Sequence, residues 1–158
     1  MAFALSNMAV SSSAFGTHDA IPARHSPEAD NLSPALAWQG APEGAKSFAV
    51  ICHDPDAPLI QNGTYGFVHW LLYNLPASTS ELAEGTDKGT AGVNDFGEQN
   101  YGGPMPPEGH GVHHYYFWVL ALDTGLDLPP GLKLHELLDK VEPHLLGMNR
   151  LVGTYQRD

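Results

Sequence analysis

Three apolar runs set the pattern of this chain. Ser47-Phe48-Ala49-Val50-Ile51-Cys52-His53 is almost continuously apolar, which predicts a strand buried on both faces. Gly66-Phe67-Val68-His69-Trp70-Leu71-Leu72-Tyr73-Asn74 predicts a second strand. Period-two alternation puts Phe67, His69, Leu71 and Tyr73 on one face of it, with Val68, Trp70 and Leu72 on the other. The third run, His113 to Leu122, follows a Gly/Pro loop. Its alternation places His113, Tyr115, Phe117, Val119 and Ala121 together, and His114, Tyr116, Trp118, Leu120 and Leu122 opposite.

Shorter elements fill the rest. Residues 2–15 alternate loosely through Phe3, Leu5, Met8 and Val10 and predict a first strand. Residues 16–37 are polar and Pro-bearing, a long loop with one short strand around His18–Ile21. Ala35-Leu36-Ala37-Trp38 is a short strand ended by Gly40 and Pro42. Residues 78–100 form a polar loop too long to be a bare connection. Leu134, Leu137, Leu138, Val141 and Leu145 recur at helical spacing, and Pro143 divides that helix into a hairpin. Leu151-Val152-Gly153-Thr154-Tyr155 predicts a last strand. The fold class is mainly β: an antiparallel β-sandwich with a short helical hairpin near the C-terminus. The length of 158 residues fits a single domain, 1–158, with a real core.

Composition narrows the partners. The formal charge is −11, with seven Lys and Arg and no basic cluster. Nucleic acid and anionic membrane surfaces are poor partners for such a chain, although one local phosphate pocket is compatible with it. A single cysteine, Cys52, excludes an intrachain disulfide and a thiolate metal cluster. No run has the length of a transmembrane helix, so no stable membrane insertion is expected. The first residues lack a basic region followed by an apolar one, and the expected location is the cytoplasm.

The candidate chemistry sits at strand ends. The loop Asn100–Val112 holds four Gly and three Pro, so its shape is set by its backbone. It feeds His113 and Tyr115. Asp54 and Asp56 flank Pro55 just after the first long run, and His69 lies within the second. Singly, each has a bland reading: a turn, a satisfied core histidine, packing aromatics. Jointly they admit three chemistries. Two Asp and several His can ligate zinc, iron or manganese, but the local two-histidine spacings of such sites are missing. A hydrolase can use Asp54, His69 and His113 as acid/base groups or metal ligands, yet no Gly-x-Ser-x-Gly is present. Gly-rich backbone and histidine N–H groups can hold a phosphate or carboxylate. There the two carboxylates would repel the anion unless each faces a histidine, raises its pKa and turns its other N–H to the ligand.

Four ordered motifs carry a family resemblance: Asn31-Leu32-Ser33-Pro34-Ala35-Leu36-Ala37-Trp38, Asp54-Pro55-Asp56-Ala57-Pro58, His69-Trp70, and Tyr101-Gly102-Gly103-Pro104-Met105-Pro106-Pro107-Glu108-Gly109 with His113-His114-Tyr115. With the ending Leu151–Tyr155 they span nearly the whole chain. The sequence resembles the phosphatidylethanolamine-binding, or Raf kinase inhibitor, protein family, in its bacterial and archaeal branch. That resemblance implies a β-sandwich with an anion pocket at one end. Asp54, Asp56, Pro58 and His69 would line one side of it, and Gly103, His113 and Tyr115 the other. It also implies phosphate-like or headgroup ligands, a kinase or protease as protein target, a homodimer, no cofactor, no metal and no catalysis. One departure is His114, where the family usually has Arg. It lies on the strand face opposite His113, so the change bears on the outer surface. The other is a chain that stops at Asp158, where eukaryotic members add a helix at the pocket mouth.

Overall fold

The computed structural model describes residues 3–59 and 65–158. Residue 2, where the first predicted segment begins, lies outside them. The described strands are β1 (Ala9–Ser11), β2 (Leu36–Gln39), β3 (Ser47–Asp54), β4 (Phe67–Pro76), β5 (Glu81–Leu82), β6 (Thr90–Ala91), β7 (His113–Leu122) and β8 (Leu145–Tyr155). They form a five-stranded sheet in the order β6-β4-β3-β7-β8 and a three-stranded sheet in the order β1-β2-β5. Every strand pairing is antiparallel.

Two cores explain why β3 is apolar from Phe48 to Cys52. Between the sheets, Phe48, Val50 and Cys52 of β3 meet Leu36, Trp38 and Leu82 of the small sheet, along with Phe117 and Val119 of β7. On the outer face, Ala49 and Ile51 join Leu71, Tyr73, Leu120 and Leu122 under a helix, α1 (Leu134–Val141). Leu137 and Val141, one turn apart, are the helix residues that reach this layer. Glu136 anchors the start of α1 by accepting the Lys133 backbone N–H at 2.9 Å.

The C-terminal hairpin resolves differently. The helix stops at Val141, Pro143 sits in a 3-10 turn (Glu142–His144), and Leu145 opens β8. β8 is therefore longer than the predicted 151–155 strand. It pairs with β7 from His113↔Tyr155 back to Leu122↔Leu145, and that ladder overrides the helical spacing of Leu145. At the other end, the strand expected across 2–15 is confined to β1, with Leu5 making a lone bridge to Met148. The strand expected near His18–Ile21 is a lone bridge, Ala20 to Thr154, followed by a 3-10 turn at Ala23–His25. The polar 78–100 segment contains β5 and β6.

β4 departs from simple alternation twice. Cys52 opposes Trp70, but the next residue, His53, opposes Val68, so His69 is an extra residue. A β-bulge of this kind lets two neighbours share one face. Trp70 belongs to the inner core, and the His69 ring meets Tyr115 edge-on at 5.1 Å on that same side. Val68 and Leu71, either side of the pair, both pack in the outer layer. The predicted grouping of His69 with Leu71 and Tyr73 is thus corrected: His69 turns inward with Trp70. A second shift, with Val50 opposite Leu72 and Phe48 opposite Leu75, accompanies Asn74 at φ 59°.

Candidate ligand-binding site

The end of β3 and the starts of β4 and β7 converge, because antiparallel pairing sets Asp54 beside Phe67 and His53 beside Tyr116. A cavity of about 220 Å³ opens there. Asp54, His69, His113 and Tyr115 form its polar side; Ala57, Pro58, Phe67, Phe96, Met105, Pro106 and Pro107 form the rest. Phe67 and Phe96 meet edge-on at 4.7 Å and make an aromatic wall beside His69.

Asp54 is buried and accepts two hydrogen bonds. One comes from the Asp56 backbone N–H at 2.8 Å, closing the Asp-Pro-Asp turn. The other comes from Nδ1–H of His113 at 2.6 Å. Nε2 of His113 lies 2.7 Å from Nδ1 of His110 in the Gly/Pro loop. The result is a row of Asp54, His113 and His110 running from the interior to the surface.

His69 is held in one tautomer. A carbonyl can only accept, so Nδ1 carries the proton it donates to Gly102 O at 2.7 Å, and Gly102 N–H returns a bond to His69 O at 3.0 Å. Burial lowers the His69 pKa from 6.5 to about 4, against the opposing pull of the Gly102 carbonyl and Asp54. Near neutrality the ring is uncharged, and Nε2 is an acceptor. Below pH 6.5 the unfolded chain takes up this proton and the folded chain resists it down to about pH 4. The stabilisation is therefore complete above about pH 6.5 and is lost as pH falls toward 4. His69→Gln removes this titration. Urea unfolding at pH 7 and pH 4.5 is expected to show the parent losing about 2 to 3 kcal/mol more than the variant. Equal losses would refute the assignment.

Tyr115 is fully buried, and its hydroxyl has no hydrogen-bond partner among the described residues. Burial, then the Asp54 charge, pushes its pKa well above the ordinary value. It remains a neutral donor, buried beside the Asp54 carboxylate in the cavity lining.

Two of the seven sequence-derived candidates stand elsewhere. Asp56 accepts both the His114 ring Nδ1–H at 2.7 Å and the His114 backbone N–H at 2.8 Å, at the half-exposed outer edge. Burial would raise its pKa, but the bonds and charge of His114 outweigh that and hold the carboxyl below its usual range. Gly103 does not line the cavity. Its N–H donates to Asn31 Oδ1 at 2.8 Å, and it packs against the His25 carbonyl. The structure adds Phe96, Pro106, Pro107 and His110 to the region. In the sequence, Phe96 stands out only as the lone aromatic of the polar 78–100 loop.

The model of the phosphatidylethanolamine-binding protein family matches residues 11–156. The chain belongs to the phosphatidylethanolamine-binding protein family. It is 41% identical over 151 residues to a UPF0098 protein of Methanothermobacter thermautotrophicus, covering 91% of this chain and 95% of that one. Among solved structures, a phosphatidylethanolamine-binding protein homolog from Chlamydia trachomatis superposes with a TM-score of 0.88 at 36% identity, covering 96% of this chain and 98% of that chain. Escherichia coli YbcL, described as a member of the mammalian family, gives 0.87 at 30% identity, covering 97% and 100%. The β-sandwich and the family inferred from the four motifs are both shown. No helix of the described residues is long and apolar enough to cross a membrane. No three His, Cys, Asp or Glu among them group closely enough to hold a metal ion together.

Proposed function

We propose that this family member binds a small oxyanion, phosphate-like or carboxylate, in the cavity between Asp54, His69, His113 and Tyr115, without chemistry on it. The observation that carries this is the buried, unpartnered Tyr115 hydroxyl. A buried donor without an acceptor costs about 1–3 kcal/mol, which a ligand oxygen recovers on binding. The aromatic and proline walls take the group attached to the anion. About 220 Å³ is several times the roughly 30 Å³ share of one water.

The tautomer of His69 refines the ligand. An acceptor Nε2 beside a donor Tyr115 suits an oxyanion that keeps one proton, such as a phosphate monoester in its singly charged form. That choice also limits repulsion from Asp54. Binding without turnover is supported by the state of each candidate group. His69 is a weak base, both nitrogens of His113 are engaged, and among the described residues no Ser, Thr or Cys lines the cavity.

Tyr115→Phe separates binding from folding. Calorimetric titration with inorganic phosphate and with O-phosphoethanolamine is expected to show affinity falling about tenfold, near 1.4 kcal/mol. Urea stability should stay within about 0.5 kcal/mol, because the hydroxyl removed has no partner in the fold. Binding that survives Tyr115→Phe unchanged would sink the reading, and so would steady hydrolysis of phosphoesters by the parent protein.

A further inference from the structure

His110 is exposed, yet its Nδ1 reaches the buried His113 at 2.7 Å. It is flanked by Gly109 at φ 71° and Gly111 at φ 92°, and a Cβ on either glycine would meet nothing. The loop around this pivot is pinned. Gly109 N–H donates to the Arg157 carbonyl at 3.0 Å, and the Arg157 guanidinium donates to Pro106 O at 3.1 Å and to Glu108 at 3.2 Å. The His110 side chain thus has room to turn while the cavity wall stays in place.

The nitrogen that His110 contacts is the one an oxyanion needs. Nδ1 of His113 is committed to Asp54 at 2.6 Å, so Nε2 is the remaining donor position on that ring. We infer that His110 is a latch that sets the affinity and selectivity of the pocket. It competes with the ligand for His113 Nε2, and an oxyanion binds by displacing it. The inference rests on the oxyanion reading of the cavity. In the latched arrangement one proton lies between the two rings. On displacement the oxyanion takes over that hydrogen bond at Nε2 while Nδ1–H stays on Asp54, and every proton remains on the atom that carried it. No bond other than hydrogen bonds changes. Such competition discriminates against single-point acceptors such as chloride. A phosphate replaces the lost contact and has further oxygens to satisfy Tyr115, which a monatomic ion lacks.

The test compares the parent, His110→Ala and His110→Gln by calorimetry with inorganic phosphate at one pH. Removing the competitor is expected to tighten phosphate binding about tenfold in His110→Ala. His110→Gln, whose amide can still reach a ring nitrogen, should remain nearer the parent. Unchanged affinity in His110→Ala would overturn the latch, and weaker affinity would overturn it by making His110 a ligand contact. A second readout does not depend on the variants folding. In the parent, the nitrogen–nitrogen coupling through the His110–His113 hydrogen bond, followed by NMR, should vanish as phosphate saturates the protein. Its persistence at saturation would overturn the proposal. Failure of all three proteins to bind phosphate or phosphoethanolamine would instead remove the oxyanion reading, and the latch with it.

Discussion

Gly103→Ala is expected to lower stability by about 3 kcal/mol or more, although Gly103 does not line the cavity. A Cβ there would run into the His25 carbonyl oxygen and come within 2.9 Å of Asn31 Oδ1. Neither is the free end of a flexible chain. His25 O accepts the Tyr101 hydroxyl at 2.7 Å, and Asn31 Oδ1 accepts Gly103 N–H at 2.8 Å. Relief of the clash must therefore break one of these bonds or shift residues 101–103. A shift also disturbs Gly102, which exchanges two hydrogen bonds with His69. For a chain of this size the loss corresponds to a fall in Tm of roughly 6–12 °C. Gly109→Ala and Gly111→Ala are the controls. They meet open space and incur only the left-handed backbone penalty of about 1–2 kcal/mol. Urea titrations of the three variants check the ordering, and a Gly103→Ala protein within 1 kcal/mol of the parent would contradict the packing argument.

That result bears on how Gly103 is read. The family resemblance of its Tyr-Gly-Gly-Pro motif implied a place in the pocket lining. Its close approach is instead to the chain's own His25 turn. A sequence marks that a side chain is forbidden without marking what forbids it.

The same distinction runs through the fold. β3 and β7 were legible because each residue's face follows from its own neighbours: β7 buries His113, Tyr115, Phe117 and Val119 as alternation requires. β4 was legible as a strand and misleading in its facing, because a bulge is a property of two strands. It exists only where Cys52 and His53 take up their register against Trp70 and Val68. That bulge is what brings His69 into the cavity at all. Leu145 was misread for a related reason, since its partner Leu122 lies 23 positions earlier in the chain and helical spacing carries no trace of it. Within the site, Asp54 and His113 are 59 residues apart, and two acidic residues and two histidines offered more than one pairing. Alternation put His114 on the outer face. It did not say that Asp56 would follow it there and leave Asp54 with His113.

Asp54 decides whether the pocket's carboxylate helps or hinders an anion, and its replacement is expected to weaken binding. Asp54→Ala leaves the buried Nδ1–H of His113 and the Asp56 N–H without their acceptor. An abandoned buried donor costs about 1–3 kcal/mol, and more if the ring is charged, so a loss near 3 kcal/mol is expected by urea unfolding. Asp54→Asn keeps one carbonyl acceptor in the same volume and should lose less. Phosphate affinity is the sharper measurement. At about 6 Å and an effective dielectric near 20, a lone carboxylate would repel a singly charged anion by about 3 kcal/mol. If that repulsion governed the site, Asp54→Asn would bind phosphate far more tightly. The geometry argues the other way. The Nδ1–H of His113 already faces the Asp54 carboxylate at 2.6 Å, so part of the repulsion is offset at its source. What the carboxylate contributes is orientation: it holds Nδ1–H in place and leaves Nε2 for the ligand. Asp54→Asn is accordingly expected to bind inorganic phosphate about tenfold more weakly, despite losing a negative charge. Tenfold tighter binding would show that Asp54 only repels and that the Asp54–His113 pair plays no part in recognition.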